Sequence, residues 1–298
     1  MPNLTTAILF FVINAIQALT ILAGNAFAMH VFCARRRCLK RTAFLLINLA
    51  VTDFLIGAAT LVEIIYHVSQ EETMKGIVYD EPISAIQISF SSSSLFCLVG
   101  ISLERVYAVL WPYRHRALSK KFYIVNIALA WVAGITIGII YAMGELEVFR
   151  KEFGIATEVV LLCSLAVFVV SYAAIRTRMN KTVPSLNAHN RHTEEQNIKL
   201  SHTLFIVKAL SLLLWVPAIV LYGIQVICNA CAVAIAKLPI VSSARVLHLS
   251  NSIVNPVVYS YRMPMFREEI KKCLEKVRCY KSDNSSQSGQ LECFDTRL

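Results

Sequence analysis

Seven stretches of this chain are long and apolar enough to cross a bilayer: about residues 7–32, 42–67, 82–110, 122–143, 156–177, 200–227 and 239–261. A bilayer core takes roughly 20 apolar residues as a helix. Inside lipid, each backbone N–H and C=O must find its partner within the segment, so an open strand or loop cannot replace the helix. The expected fold class is therefore an all-α membrane protein. The spans occupy more than half of the 298 residues, which leaves no room for a separate soluble domain. Composition agrees: 56% hydrophobic and 16% charged residues lie outside the usual soluble balance.

Seven is odd, so the two termini fall on opposite sides. Lys and Arg give the orientation. Loops 33–41, 111–121 and 176–199, with the tail after residue 261, carry 22 of them, against 4 in the loops of the other face (Lys75, Arg150, Lys151 and Lys237). The basic side is expected to be cytoplasmic and the N-terminus extracellular. The net charge of +10 is thus a topology signal, and no basic stretch interleaved with aromatics suggests nucleic acid. No basic residue precedes the first apolar run and Gly24-Asn25 interrupts it, so it reads as an uncleaved span. Asn3-Leu4-Thr5 is a sequon on the outer side, which makes Asn3 a candidate glycosylation site.

Polar residues inside the spans carry the functional signal, because each is costly in lipid. Asp53 lies near the middle of the second span. Ser94 precedes Arg105 by eleven residues, which places it about 16 Å further out, near the depth of Asp53. Glu104 and Arg105 form an adjacent acid-base pair at the inner end of the third span. Trp215 and Pro217 mark a kink in the sixth, since a mid-helix proline removes a backbone hydrogen bond. Asn251, Ser252, Asn255, Pro256 and Tyr259 fall in the seventh. Beyond it, Phe266, Ile270, Cys273 and Leu274 recur at helical spacing among charges, the pattern of a helix lying in the membrane interface. The stretch from about Lys281 is polar and Ser-rich, and is expected to be disordered.

These motifs, in this order, resemble those of the rhodopsin-like (class A) G-protein-coupled receptors. The matching pieces are Gly24-Asn25, Leu49-Ala50-x-x-Asp53, Glu104-Arg105 with Val106 where Tyr is usual, and the single Trp131. Trp215-x-Pro217 follows, with Leu214 for the usual Cys, and then Asn255-Pro256-x-x-Tyr259. The resemblance implies a seven-transmembrane helix bundle plus a short interfacial eighth helix over residues 1–280, with a tail at 281–298. It implies a plasma-membrane receptor, not an enzyme, that binds an extracellular ligand and activates heterotrimeric G proteins. The inner cleft would open as the lower sixth helix swings about Trp215–Pro217. Arg105 would leave Glu104 for the G protein, and Tyr172 and Tyr259 would close around it. Asp53, Ser94, Asn251, Ser252 and Asn255 resemble the family's pocket for an allosteric sodium ion, and oxygen ligands suit a hard cation. The alternative is a dry hydrogen-bond network around a protonated Asp53. No other cofactor is implied.

Departures from the pattern bear on the ligand. The family's usual disulfide to the second outer loop is absent, since Asp80 holds the third-span position and residues 144–155 lack Cys. Cys228 and Cys231 could pair in the third outer loop or stay free. Cys273 and Cys279 are candidates for palmitoylation, which would add lipid contacts. The short second outer loop, the missing disulfide and the absent fifth-span proline are similar to the melanocortin, lysophospholipid and cannabinoid receptors. Gln87 stands where amine receptors carry an anchoring Asp, and Leu249 where opsins carry the retinal Lys. The candidate ligand pocket is Glu63, Gln87, Tyr222, Arg245 and His248, with Tyr222 and His248 equally readable as packing residues. Glu63 and Arg245 lie ten residues outward of Asp53 and Asn255 and are expected to pair across the pocket. The rival is that Glu63, Asp80 and Glu81 gather a divalent cation or a basic ligand. Asn197 stands where many family members carry an acid that also holds the Arg of the third span.

Two readings outside receptor function remain at this stage. A transporter or channel could use Asp53 and Lys208 as an ion path, though no internal repeat supports it. A non-signalling partner of another receptor would have no need of Arg105 or the Asn255-Pro256-x-x-Tyr259 motif.

Overall fold

The structure, a computed structural model, describes residues 4–34, 42–69, 81–144, 150–182, 205–206, 209–211, 213–221, 223–224, 228 and 239–275. Asn3, Asp80, Asn197, Lys208, Tyr222, Cys231, Cys279 and the tail 281–298 lie outside the described residues. The first helix is Leu4–Ala34, the second Thr42–Ser69, the third Glu81–Leu110, the fourth Lys120–Gly144, the fifth Arg150–Thr182 and the seventh Pro239–Arg262. A short inner helix, Pro112–Ala117, joins the third to the fourth. The sixth is seen as the apolar helix Ala209–Leu221. The eighth covers 264–275, and among the described residues there is no strand.

Five of these helices are long and apolar enough to cross a membrane by themselves: Ile8–Ala34, Thr42–Ser69, Ile83–Leu110, Lys120–Met143 and Glu158–Thr177. The seventh is too polar to count on composition alone. Its polar residues Asn251, Ser252 and Asn255 are all buried, so its polarity faces protein and not lipid. Elsewhere the arrangement is inverted relative to a water-soluble bundle. Leu129, Val132, Val169 and Val170 are exposed, while Ser91 through Ser94 are buried.

The first helix packs on the second and the seventh, and the third packs on the second, fourth and fifth. The approach of third to fourth depends on glycine. A Cβ at Gly134 would lie 2.6 Å from the Ser93 amide nitrogen and 2.7 Å from the Ser89 carbonyl oxygen. Small residues admit such close helix contact in a membrane. The serines opposite are themselves satisfied within the third helix. Ser89 donates to the Ala85 carbonyl and Ser93 to that of Ser89, at 2.9 and 2.8 Å.

The seventh helix is completed by the first. Pro256 has no N–H to give the Ser252 carbonyl one turn back. Asn25 of the first helix supplies the missing donor, its Nδ2 lying 3.0 Å from that oxygen. The inner ends are sealed by rings. Phe266 of the eighth helix has no exposure and meets Phe27 and Phe32 edge-on and Tyr259 at a tilt. Leu274 is exposed, as a lipid-facing residue of an interfacial helix would be.

Candidate functional site

The polar interior falls into three layers. In the middle layer, Asp53 is fully buried. Its Oδ1 accepts hydrogen bonds from Ser94 Oγ at 2.7 Å and Ser252 Oγ at 3.0 Å, and its Oδ2 accepts one from Asn255 Nδ2 at 2.5 Å. Second, third and seventh helices therefore meet at one carboxylate. Asn251 Oδ1 and Asn255 Oδ1 are buried without a hydrogen-bond partner. Orphaned buried oxygens are costly in a dry site, and they suit a hard cation or ordered water. Among the described residues no cluster of three or more His, Cys, Asp or Glu could hold a metal, so any ion here would rest on one carboxylate with neutral oxygens.

The outer layer joins the same three helices. Arg245 donates to Glu63 Oε2 and, at 2.9 Å, to Gln87 Oε1. Gln87 Nε2 in turn donates to Glu63 Oε2 at 2.7 Å and reaches Thr60 Oγ1 at 3.5 Å. Glu63 is thus paired, as its register with Arg245 suggests. His67 lies one turn further out, with Nε2 4.0 Å from Glu63 Oε1. A small crevice behind this network is lined by Phe11, Asn14, Thr60, Glu63, Ile64, His67 and Arg245.

The inner layer is built on Glu104 and Arg105, both buried. Arg105 grips its neighbour with two groups, Nε to Oε2 at 2.6 Å and Nη2 to Oε1 at 2.5 Å. The same Nη2 donates to Thr42 Oγ1 at 2.6 Å. Glu104 Oε1 also meets Thr42 Oγ1 at 3.2 Å, His115 Nε2 at 2.7 Å and the Tyr123 hydroxyl at 3.4 Å. Second helix, third helix, short inner helix and fourth helix all converge on one carboxylate.

The profile of the 7 transmembrane receptor (rhodopsin family) matches residues 24–259. The chain belongs to this family. The receptor is 24% identical over 279 residues to lysophosphatidic acid receptor 1-B of Xenopus laevis, covering 89% of this chain and 74% of that one. It is 23% identical over 309 residues to adenosine receptor A2a of Homo sapiens, covering 92% and 74% of the two chains. It is also 23% identical over 350 residues to octopamine receptor beta-2R of Chilo suppressalis, covering 98% and 85%. It is therefore a multi-pass, cell-surface receptor that couples to heterotrimeric G proteins, and it is not an enzyme. The comparisons lend no support to a transporter or channel.

Other expected residues of the receptor fall as follows. Trp215 is buried and stands edge-on to His248, with centroids 4.3 Å apart. His248 thus packs against the sixth helix, two residues before Pro217. Tyr172 stacks on Phe205, which precedes Ala209–Leu221 in the chain, at 3.6 Å, and its hydroxyl accepts a hydrogen bond from Arg176 at 2.8 Å. Tyr259 is buried, with its hydroxyl unpartnered. Cys228 is disulfide-bonded, and Cys273 is a free, exposed thiol. Sequence reasoning missed Thr42, His115, Tyr123 and Thr60. Only His115 carried a signal, being a titratable residue in the loop next to the Glu104-Arg105 pair.

Proposed function

We propose that the receptor takes its ligand in the outer mouth, against Gln87 and Arg245 beside the buried Glu63, with Tyr222 and His248 completing the pocket. The observation that carries this is the Glu63–Gln87–Arg245 network. Polar groups at this depth are costly in a membrane protein unless they serve a purpose. Because Arg245 neutralises Glu63, that carboxylate is no anionic trap for a free cation. The mouth suits a neutral or zwitterionic head group that exchanges hydrogen bonds with Gln87 and Arg245. Contact of His248 with Trp215 gives such a ligand a route to the sixth-helix kink. A second-messenger screen of a ligand panel in cells tests this. A hit should lose ten-fold or more in potency in Gln87→Ala, at unchanged surface density. A hit indifferent to Gln87→Ala and His248→Ala would place the ligand elsewhere.

Inside, Arg105 leaves Glu104 to meet the G protein, and Tyr172 and Tyr259 close around it as the lower sixth helix swings outward. The excess of Lys and Arg on the inner loops supports an extracellular N-terminus in the plasma membrane. Exposure of Cys273 on the eighth helix supports its candidacy for palmitoylation.

The middle layer fits a sodium ion. Asp53, Ser94, Asn251, Ser252 and Asn255 would hold it, and two orphaned amide oxygens would gain a partner. When bound, the ion supplies a positive charge that ties three helices together. Exchanging sodium for a large organic cation at about 0.15 M total salt should raise ligand-free nucleotide exchange by the G protein at least two-fold. Asp53→Asn should erase the difference. Identical exchange rates in the two salts would leave only the dry network.

A further inference from the structure

Glu104 has two basic partners. His115 of the short inner helix places Nε2 2.7 Å from Oε1, the oxygen that also takes Arg105 Nη2 at 2.5 Å. A carboxylate only accepts, so Nε2 of His115 carries the proton between them. Glu104 has no solvent exposure, whereas the His115 side chain is 20% exposed. The imidazole thus stands between cytosol and a buried anion. If Arg105 departs, that anion loses its guanidinium, and a buried charge left unpaired is strongly destabilising. Arg105 can leave readily only if something else neutralises Glu104.

We propose that His115 is the replacement cation for Glu104: its charged form keeps the carboxylate paired when Arg105 swings to the G protein, so the charge on His115 sets how readily Arg105 is released. This rests on the reading that Arg105 is the coupling residue. His115 acts through Glu104 and is a positioning residue.

Among the described residues no other side chain is placed for this role. Facing His115 from the third helix are Glu104, Arg105 and the ring of Tyr107 at 6.4 Å. From the fourth helix comes the Tyr123 hydroxyl at 3.4 Å, and from the second comes Thr42, on Glu104 itself. Among the described residues these add hydroxyls but no further cation within reach of Oε1. On its own helix Arg114 and Arg116 are exposed. Imidazole is the side chain whose charge changes between about pH 5 and 8. Protonation favours the charged form as pH falls, so ligand-free coupling should rise as the cytosolic face is acidified.

The test uses the full chain in nanodiscs without ligand, measuring nucleotide exchange on purified heterotrimer between about pH 8 and pH 6. The parent should exchange several-fold faster at the acid end. His115→Gln keeps a donor but no charge, and should be slow and nearly flat; its residual slope is that of the G protein itself. His115→Lys carries a fixed charge and should be fast at both ends, with His115→Arg as its replacement if the lysine variant melts early. Equal slopes for parent and His115→Gln overturn the proposal. So does a Lys or Arg variant that exchanges no faster than His115→Gln at about pH 8. Arg105→Ala in the same assay separates the two ideas. Full exchange without Arg105 refutes the coupling role itself, whereas its loss with indifferent His115 variants refutes only the replacement cation.

Discussion

Arg105→Ala should reach the cell surface, keep its ligand affinity within a few-fold, and activate no G protein. The protein should fold because Glu104 is not abandoned by the change. Thr42, His115 and Tyr123 still surround its carboxylate, although loss of a buried partner costs up to roughly 3–5 kcal/mol when nothing replaces it. Ligand affinity should survive because, among the described residues, the outer network of Glu63, Gln87 and Arg245 shares no hydrogen bond with the inner one. Surface labelling, ligand binding and nucleotide exchange on one preparation decide the matter. Signalling at normal surface density would end the assignment of Arg105 as the coupling residue.

A second large effect is expected at the outer layer. Glu63→Ala and Arg245→Ala should each lower surface expression severely, since each removes an opposite charge from a partner inside the bundle. The expected cost is again roughly 3–5 kcal/mol. The exchanged pair, Glu63→Arg with Arg245→Glu, should recover much of that loss. Gln87 makes recovery possible. Its amide now donates to Glu63 and accepts from Arg245, and turning the amide over serves the reversed pair equally well. His67 limits the recovery, because it would face an arginine in place of a carboxylate. Quantitative surface staining of the four proteins is the measurement. Harmless single changes would show that the pair does not hold the helices, and a double change as poor as the singles would show that its polarity matters in a way this geometry does not explain.

The parts legible from sequence were those where polarity is conspicuous against lipid. Ser94 shares the depth of Asp53 because helical rise is regular, and the structure brings the two together as counted, while Asn255 joins them as the resemblance implies. Glu63 and Arg245 were matched by the same counting along two helices. Composition served less well for the seventh helix, whose buried Ser and Asn residues hide its passage among protein neighbours. Residues that act across the bundle were not legible. Thr42 meets Glu104 from 62 positions away, and nothing in its own neighbourhood marks it out. Gln87 looked like a mere substitute for an amine anchor, whereas it bridges a charge pair. The resemblance assigns Tyr172 to Arg105 once the inner cleft is open; in this structure it stacks on Phe205, a contact that spacing along the chain does not encode.

The bond between Asn25 and the Ser252 carbonyl spans 227 positions of chain, and this matters during biosynthesis. Asn25 enters the bilayer when nearly all the rest of the protein is still untranslated. It can wait there because its Nδ2 also reaches the Ile21 carbonyl in its own helix, at 2.9 Å. The Ser252 carbonyl has no such interim partner, because Pro256 denies it one. The last transmembrane helix to emerge from the translocon is therefore the one that depends on the first being already in place. A nascent chain truncated before residue 252 would present a first helix whose asparagine amide keeps only the Ile21 carbonyl of its own helix. A chain lacking the first helix would present a carbonyl open to lipid, a lesion that cellular quality control could recognise.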